Sequence, residues 1–253
     1  MSIMDEFLLT DRIAIVTGAS SGLGVAFAWA LSEAGASVVL GARRADQLRT
    51  VAAEIQRSGG RATAVPVDVT SPESCQALAA AAIAEHGRID ILINNAGVGT
   101  AYPATRETPE QFRSVIDVNL NGSYWMAQAC GEHMQAGSSI VNISSILGIT
   151  TAGLPQAAYA ASKAGLIGLT RDLASQWSGR KGIRVNAIAP GFFPSEMTDQ
   201  YKAGYLESMR TRMLIPRTGR PAECAATLVW LVSPAASYVT GQTIVVDGGV
   251  TIT

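Results

Sequence analysis

Arg12-Ile13-Ala14-Ile15-Val16-Thr17-Gly18-Ala19-Ser20-Ser21-Gly22-Leu23-Gly24 is the stretch that decides the fold. Its first half is a short, nearly continuous apolar run, which reads as a strand buried on both faces. It ends in glycines spaced Gly-x-x-x-Gly-x-Gly, and the helical stretch Val25–Ala34 follows at once. A strand that passes through glycines into a helix opens an α/β unit. Glycines there let main-chain amides approach an anion closely, and the helix N-terminus adds partial positive charge.

The same alternation runs along the whole chain. Arg12–Thr17, Ser37–Gly41, Arg61–Val67, Ile89–Ile93, Ser139–Ile143, Ile183–Ala189 and Thr243–Val246 read as strands, and the intervals hold helices. Ser71-Pro72 and Thr108-Pro109 place a capping side chain before a proline at the first helical position. Thr108 with Gln111 completes a capping box. Repeated strand–helix units imply a doubly wound, Rossmann-type parallel sheet of about seven strands, with helices on both faces. No linker or low-complexity segment interrupts it, so residues 1–253 read as one α/β domain.

Composition narrows the function. With 48% hydrophobic residues and a net charge of -1, the chain can build a sizeable core and lacks the basic surplus of a nucleic-acid binder. No apolar run approaches the roughly 20 residues that span a bilayer. Met1–Asp11 contains Asp5 and Glu6 and does not follow the basic-then-apolar pattern of a leader, so a cytoplasmic location is expected. Cys75, Cys130 and Cys224 form no Cys-x-x-Cys pair and read as isolated thiols in a reducing compartment. His86 and His133 sit near helix ends without a ligand partner at metal spacing, so neither a zinc site nor a Ser-His-Asp triad is expected.

About 20 residues past the glycine turn, an NAD binder carries an acid for the ribose 2′-hydroxyl. Here the second strand ends Gly41-Ala42-Arg43-Arg44, with two guanidinium groups and no carboxylate. Arginine suits a 2′-phosphate through charge-assisted, bidentate bonds, which favours NADP(H). Asp46, slightly downstream, leaves NAD(H) open.

Tyr159 and Lys163, at i and i+4 of a helical segment Ala157–Thr170, share one helix face. A free tyrosine has a pKa of about 10, too high for efficient proton exchange at neutral pH. An ammonium beside it favours the phenolate. Other pieces occur in order: Asn94-Asn95-Ala96-Gly97 after the fourth strand, Asn119, Ser144-Ser145 after the fifth, and Pro190-Gly191 after the sixth. In a parallel sheet, residues just past the carboxyl ends of the strands gather at one edge.

Together these motifs resemble the short-chain dehydrogenase/reductase family, in its classical subgroup, over nearly the whole chain from Thr17 to Gly249. The resemblance implies an oxidoreductase that moves a hydride between a nicotinamide cofactor and a carbonyl or hydroxyl carbon. Carried over position by position, it makes Tyr159 the acid or base and gives Lys163 two tasks, lowering the tyrosine pKa and binding the nicotinamide ribose. Ser145, ahead of Ser144, would bond the substrate oxygen, and Asn119 would hold a water linking Lys163 to solvent. Gly18, Ser20, Ser21, Gly22, Leu23 and Gly24 would form the pyrophosphate turn, with Arg43 and Arg44 beside the ribose. Asp68 and Val69 would contact adenine. Asn95, Ala96 and Gly97 would line the cleft, and Pro190, Gly191, Phe193 and Ser195 would bracket the carboxamide. Ser195 stands where many relatives have threonine. The stretch from Ser145 to Tyr159 is about one residue longer than the family pattern, which leaves the local loop open.

Residues 192–215 align with the family's substrate-covering loop and are rich in Phe, Tyr, Leu and Met, Met197 and Tyr201 included; an apolar ketone or secondary alcohol is expected. Within Ala157–Thr170 Lys163 is the sole charged residue, and a helix apolar all round needs cover on two sides. A homo-oligomer, a tetramer or a dimer, follows. A 3-oxoacyl-(acyl-carrier-protein) reductase is one alternative, although Met134–Ser139 carries no basic residue to dock an acidic carrier. A catalytically silent dinucleotide-binding scaffold is another, and it would not need the tyrosine and lysine found here.

Overall fold

The computed structural model describes residues 2–196 and 204–253. Its strands are β1 (Ile13–Thr17), β2 (Ser37–Ala42), β3 (Arg61–Pro66), β4 (Ile91–Asn94), β5 (Ser139–Ile143), β6 (Arg184–Pro190) and β7 (Thr243–Val246). Its helices are α1 (Gly22–Glu33), α2 (Ala45–Arg57), α3 (Pro72–His86), α4 (Pro109–Ile116), α5 (Gly122–Gly131), α6 (Ala157–Lys181), α7 (Tyr205–Met209) and α8 (Pro221–Val232). The strands form one parallel sheet in the order β3-β2-β1-β4-β5-β6-β7.

Side chains of a strand point alternately to its two faces. In β1, Ala14 and Val16 pack into one core with Phe27 and Leu31 of α1, Leu48 of α2 and Leu228 of α8. Ile13 and Ile15 pack into the opposite core with Leu78 of α3, Met126 of α5 and Leu173 of α6. Both faces are covered, which is why the strands are apolar runs and not alternating ones. Strand order reverses between β1 and β4, and such a switch opens a crevice at the carboxyl ends of the strands.

The expected helix starts are built as read. Ser71 Oγ accepts from the Ser74 amide, and Thr108 and Gln111 exchange both bonds of a capping box. His86 closes α3 ahead of Gly87, whose φ of 75° is left-handed. Three features depart from expectation. The fourth strand begins at Ile91, not Ile89, because Asp90 is spent at its entrance: the carboxylate accepts from the Ile13 amide, Arg12 and Arg88. The helix read over Ala157–Thr170 continues to Lys181, since Leu173 and Ala174 keep one face in the core while Arg171 and Asp172 are solvated. Between α4 and α5, Asp117–Asn121 winds as a π-helical turn, and Asn119 is buried within it.

Candidate active site

The glycine turn and the segment after β4 are joined into one surface. Gly18 and Gly22 take φ of 67° and 57°, a left-handed conformation glycine adopts without cost. At Gly24 a Cβ would stand 2.2 Å from the Gly18 carbonyl oxygen, so no larger residue fits the turn as it stands. Asn95 Nδ2 donates to the carbonyls of Thr17 and Gly18 at 2.9 and 3.2 Å. Thr17 Oγ1 accepts from the Asn95 and Ala96 amides, both at 3.1 Å, and donates to Ile93 O.

A cleft of about 450 Å³ runs across this surface. One end is lined by Gly18, Ser20, Ser21, Gly22, Leu23 and Gly24, with Arg43, Arg44, Asp68 and Val69 beside them. Asn95, Ala96 and Gly97 line its middle, and Ser145, Tyr159, Lys163, Pro190, Gly191, Phe193 and Ser195 line the rest. All the positions expected to touch cofactor thus share one cleft. Asn119 is absent from that lining. Asn94 is absent as well; it ties β4 to Ser123 O and Asn142 Oδ1 beneath the site. Phe193 reaches the cleft but is buried, and a Cβ on Gly219 would lie 2.3 Å from its ring.

At the end beside the glycine turn, Asp68 Oδ1 accepts from the Thr70 amide and hydroxyl at 3.0 and 2.8 Å. Those two bonds hold its carboxyl below the ordinary range, with a smaller contribution from the Arg43 charge. Arg43 is exposed and makes no hydrogen bond or ion pair among the described residues. Arg44 turns back over the glycine turn, where it meets Ser20, Ser21 and Glu196.

At the other end, three side chains converge from β5 and α6. Lys163 is buried, donates to Ile143 O at 2.8 Å and lies 5.6 Å from the centre of the Tyr159 ring. Burial pushes the Lys163 ammonium down to about 8, because a charged form is disfavoured away from water. The two serines after β5 divide. Ser144 Oγ donates to Lys163 O at 2.8 Å and is occupied in holding α6. Ser145 Oγ accepts from the Leu147 amide at 3.1 Å, which fixes the oxygen and leaves the hydroxyl proton to give. Asn119 Oδ1 accepts from Val98 N at 2.8 Å, while its Nδ2 donates to Val98 O and Ser162 Oγ. A Cβ on Gly97 would lie 3.4 Å from both Asn119 Oδ1 and Lys163 Nζ, so the two flank the same small space.

Beside Tyr159 the cleft has apolar lining. Val98, Ile146, Leu147 and Phe192 line the cleft there. Behind them Met209, Met213, Ala152 and Val250 form a small core, with Tyr205 and Leu206 packed against it. Tyr205 Oη donates to Ala152 O at 2.7 Å, joining α7 to the loop after β5. Met197 and Tyr201 lie outside the described residues. Sequence reasoning missed Glu196, Val98 and Ile143. Glu196 carried no motif signal, and Ile143 acts through its main-chain carbonyl, for which the residue type is silent.

Among the described residues no three of His, Cys, Asp and Glu gather as a metal site, and no helix is long and apolar enough to cross a membrane. All three cysteines are buried and unpaired in disulfides.

A family model described as enoyl-(acyl carrier protein) reductase matches residues 18–251. The 3-oxoacyl-(acyl-carrier-protein) reductase of Thermotoga maritima is 37% identical over 247 residues, covering 96% of this chain and 99% of that protein. The D-threitol dehydrogenase of Mycolicibacterium smegmatis is 39% identical over 258 residues, covering 100% and 97%. Among solved structures, a gluconate 5-dehydrogenase from Burkholderia cenocepacia, in complex with NADP and tartrate, superposes with a TM-score of 0.94 at 32% identity, covering 100% of both chains.

Proposed function

The chain belongs to the short-chain dehydrogenase/reductase family and is an oxidoreductase acting between CH–OH and C=O; from that premise we propose that it is an NADP(H)-preferring reductase of apolar ketones, working in reverse on secondary alcohols. The observation that carries this is the cleft itself. Tyr159, Lys163 and a Ser145 hydroxyl with its proton unspent stand at one end, and two arginines with no acid at the end of β2 stand at the other.

The residues present fit a nicotinamide dinucleotide. Gly18 and Gly24 form a cradle that a Cβ would fill, and Ser20, Ser21 and the N-terminus of α1 offer donors to a pyrophosphate. The cofactor, when bound, gives or takes the hydride. The chain does the rest. Ser145 donates to the substrate oxygen and fixes its position. Tyr159 passes its hydroxyl proton to that oxygen in reduction and takes one in oxidation. Lys163, charged below about pH 8, favours the phenolate left behind and holds the nicotinamide ribose. A water between Asn119 Oδ1 and Lys163 Nζ returns the proton from solvent. Arg43 and Arg44 would take the 2′-phosphate, and Asp68 and Val69 would meet adenine. Pro190, Gly191, Phe193 and Ser195 bracket the carboxamide, Phe193 mainly through its main chain.

Val98, Ile146, Leu147 and Phe192 favour an apolar substrate over a polyol, since they leave hydroxyls unpaired. Phe192 and the segment from Tyr205 to Met213 flank that substrate, and residues 197–203 lie outside the described residues. We assign the protein to the cytoplasm as a homo-oligomer; Ala157, Ala161, Ala164 and Gly168 leave the outer face of α6 uncharged over its first turns, before Arg171. A carrier-protein-linked 3-oxoacyl reductase is the second reading, favoured by exposed Arg171 and Arg180 on α6. Fluorescence titration with NADPH and NADH, followed by turnover of apolar ketones and of 3-oxoacyl thioesters, separates them. Tight NADPH binding with ketone turnover supports the first reading. Turnover confined to carrier-bound thioesters supports the second, and preference for NADH overturns the cofactor assignment.

A further inference from the structure

At the adenosine end of the cleft, the chain places one of its own carboxylates against an anion site. Arg44 Nη1 donates to Glu196 Oε1 at 2.9 Å, its Nε and Nη2 reach Ser20 Oγ at 3.2 and 3.1 Å, and its Nη2 reaches Ser21 Oγ at 2.7 Å. Glu196 comes from the segment after β6, on the far wall of the cleft. Neighbouring Ser195 seats on the turn itself: a Cβ on Gly22 would lie 3.5 Å from Ser195 Cβ. Bonds from Arg44 and Ser21, with the Arg44 charge, hold the Glu196 carboxyl below the ordinary range. All three guanidinium nitrogens of Arg44 are therefore engaged within the chain, while its neighbour Arg43 makes no hydrogen bond or ion pair among the described residues.

We propose that Glu196 is a specificity-determining residue for the cofactor, an internal anion that occupies Arg44 and must yield it when a ligand phosphate ester on the adenosine ribose arrives. The proposal rests on the NADP(H) reading above. A phosphate dianion competes for the guanidinium fork, because bidentate charge-assisted bonds are what that fork makes best. A ribose bearing a plain 2′-hydroxyl carries no charge to displace the carboxylate, so NAD(H) leaves the Arg44–Glu196 pair in place. Glu196 thus narrows the gap between the two cofactors by opposing only the phosphorylated one. Both side chains are partly exposed, at 43% and 60%, so the opposition is modest and screened by salt.

The test is a titration of wild type, Glu196→Gln, Arg44→Ala and the double variant with NADPH and NADH, at low and at high salt. Thermal melts of each protein verify that it is folded. Glu196→Gln is expected to tighten NADPH by up to about fivefold, the upper end of what an exposed ion pair contributes, with a smaller change for NADH. The gain should shrink in high salt and vanish in the Arg44→Ala background. Equal tightening of both cofactors would overturn the proposal, because the carboxylate would then merely repel the shared pyrophosphate. Weaker NADPH binding, or no change, would overturn it too. Wild-type binding alone reports on the underlying reading: a protein that takes NADH and refuses NADPH contradicts NADP(H) preference, whatever Glu196 does.

Discussion

Ser144 and Ser145 are adjacent, alike in type and nearly alike in burial, yet they have opposite uses. Ser144 spends its proton on the Lys163 carbonyl, and Ser145 keeps its own. Ser144→Ala should cost about 1 kcal/mol of stability, the net value of one buried hydrogen bond, with little loss of turnover. Ser145→Ala should cost a comparable amount of stability, through the lost bond from the Leu147 amide, but lower kcat/KM by about a hundredfold, as loss of a donor to the reacting oxygen does. Urea denaturation and steady-state kinetics on the two variants check the pair. Lys163 supplies a pH test. Its folded pKa, about 8, lies below the ordinary lysine value, so between about 8 and that value the unfolded chain binds more protons than the folded one. The contribution of Lys163 to stability therefore rises with pH through that window, while turnover falls as the ammonium discharges. Denaturation at pH 7 to 10, compared with Lys163→Met, should show the wild type gaining; a relative loss contradicts the assignment. Sequence reasoning placed Lys163 beside Tyr159 from their spacing alone. It had no access to the Ile143 carbonyl that anchors the ammonium, nor to Glu196, because neither contact is written in residue type.

At the scale of elements, the legible parts were those fixed by periodicity and by caps. Apolar runs marked the seven strands to within two residues, and proline and glycine marked helix starts and ends. The less legible parts depended on packing at a distance. The π-helical turn at Asp117–Asn121 follows from no local signal, although it buries Asn119 where Val98 and Ser162 can bond it. The full length of α6 was hidden because its second half mixes Arg171 and Asp172 with the core residues Leu173 and Ala174. Gly148 links the loop after β5 to that helix: a Cβ there would stand 2.7 Å from the Lys163 carbonyl carbon and 2.8 Å from the Ala164 nitrogen. Gly148→Ala should therefore cost about 1–3 kcal/mol through overpacking and lower turnover by displacing Lys163. A variant as stable and active as the wild type would show that this contact does not position α6.

For the whole molecule, the sheet gathers residues from six strand ends into one cleft, and that convergence is what the order reversal between β1 and β4 produces. The outer face of α6 presents Ala157, Ala161, Ala164 and Gly168, and Phe112 and Tyr124 are exposed on the neighbouring helices α4 and α5. Light scattering should return a multiple of the 26.3 kDa chain mass, and the single-chain mass would contradict an oligomer. The central claim is that Tyr159 transfers the proton within an NADP(H)-loaded cleft, and Tyr159→Phe tests it most directly, with NADPH affinity and ketone reduction measured on the same preparation. The variant should bind NADPH within a few-fold of wild type and reduce ketones about 10²- to 10⁴-fold more slowly, the range spanned by loss of a general acid. Undiminished turnover in Tyr159→Phe would contradict the account.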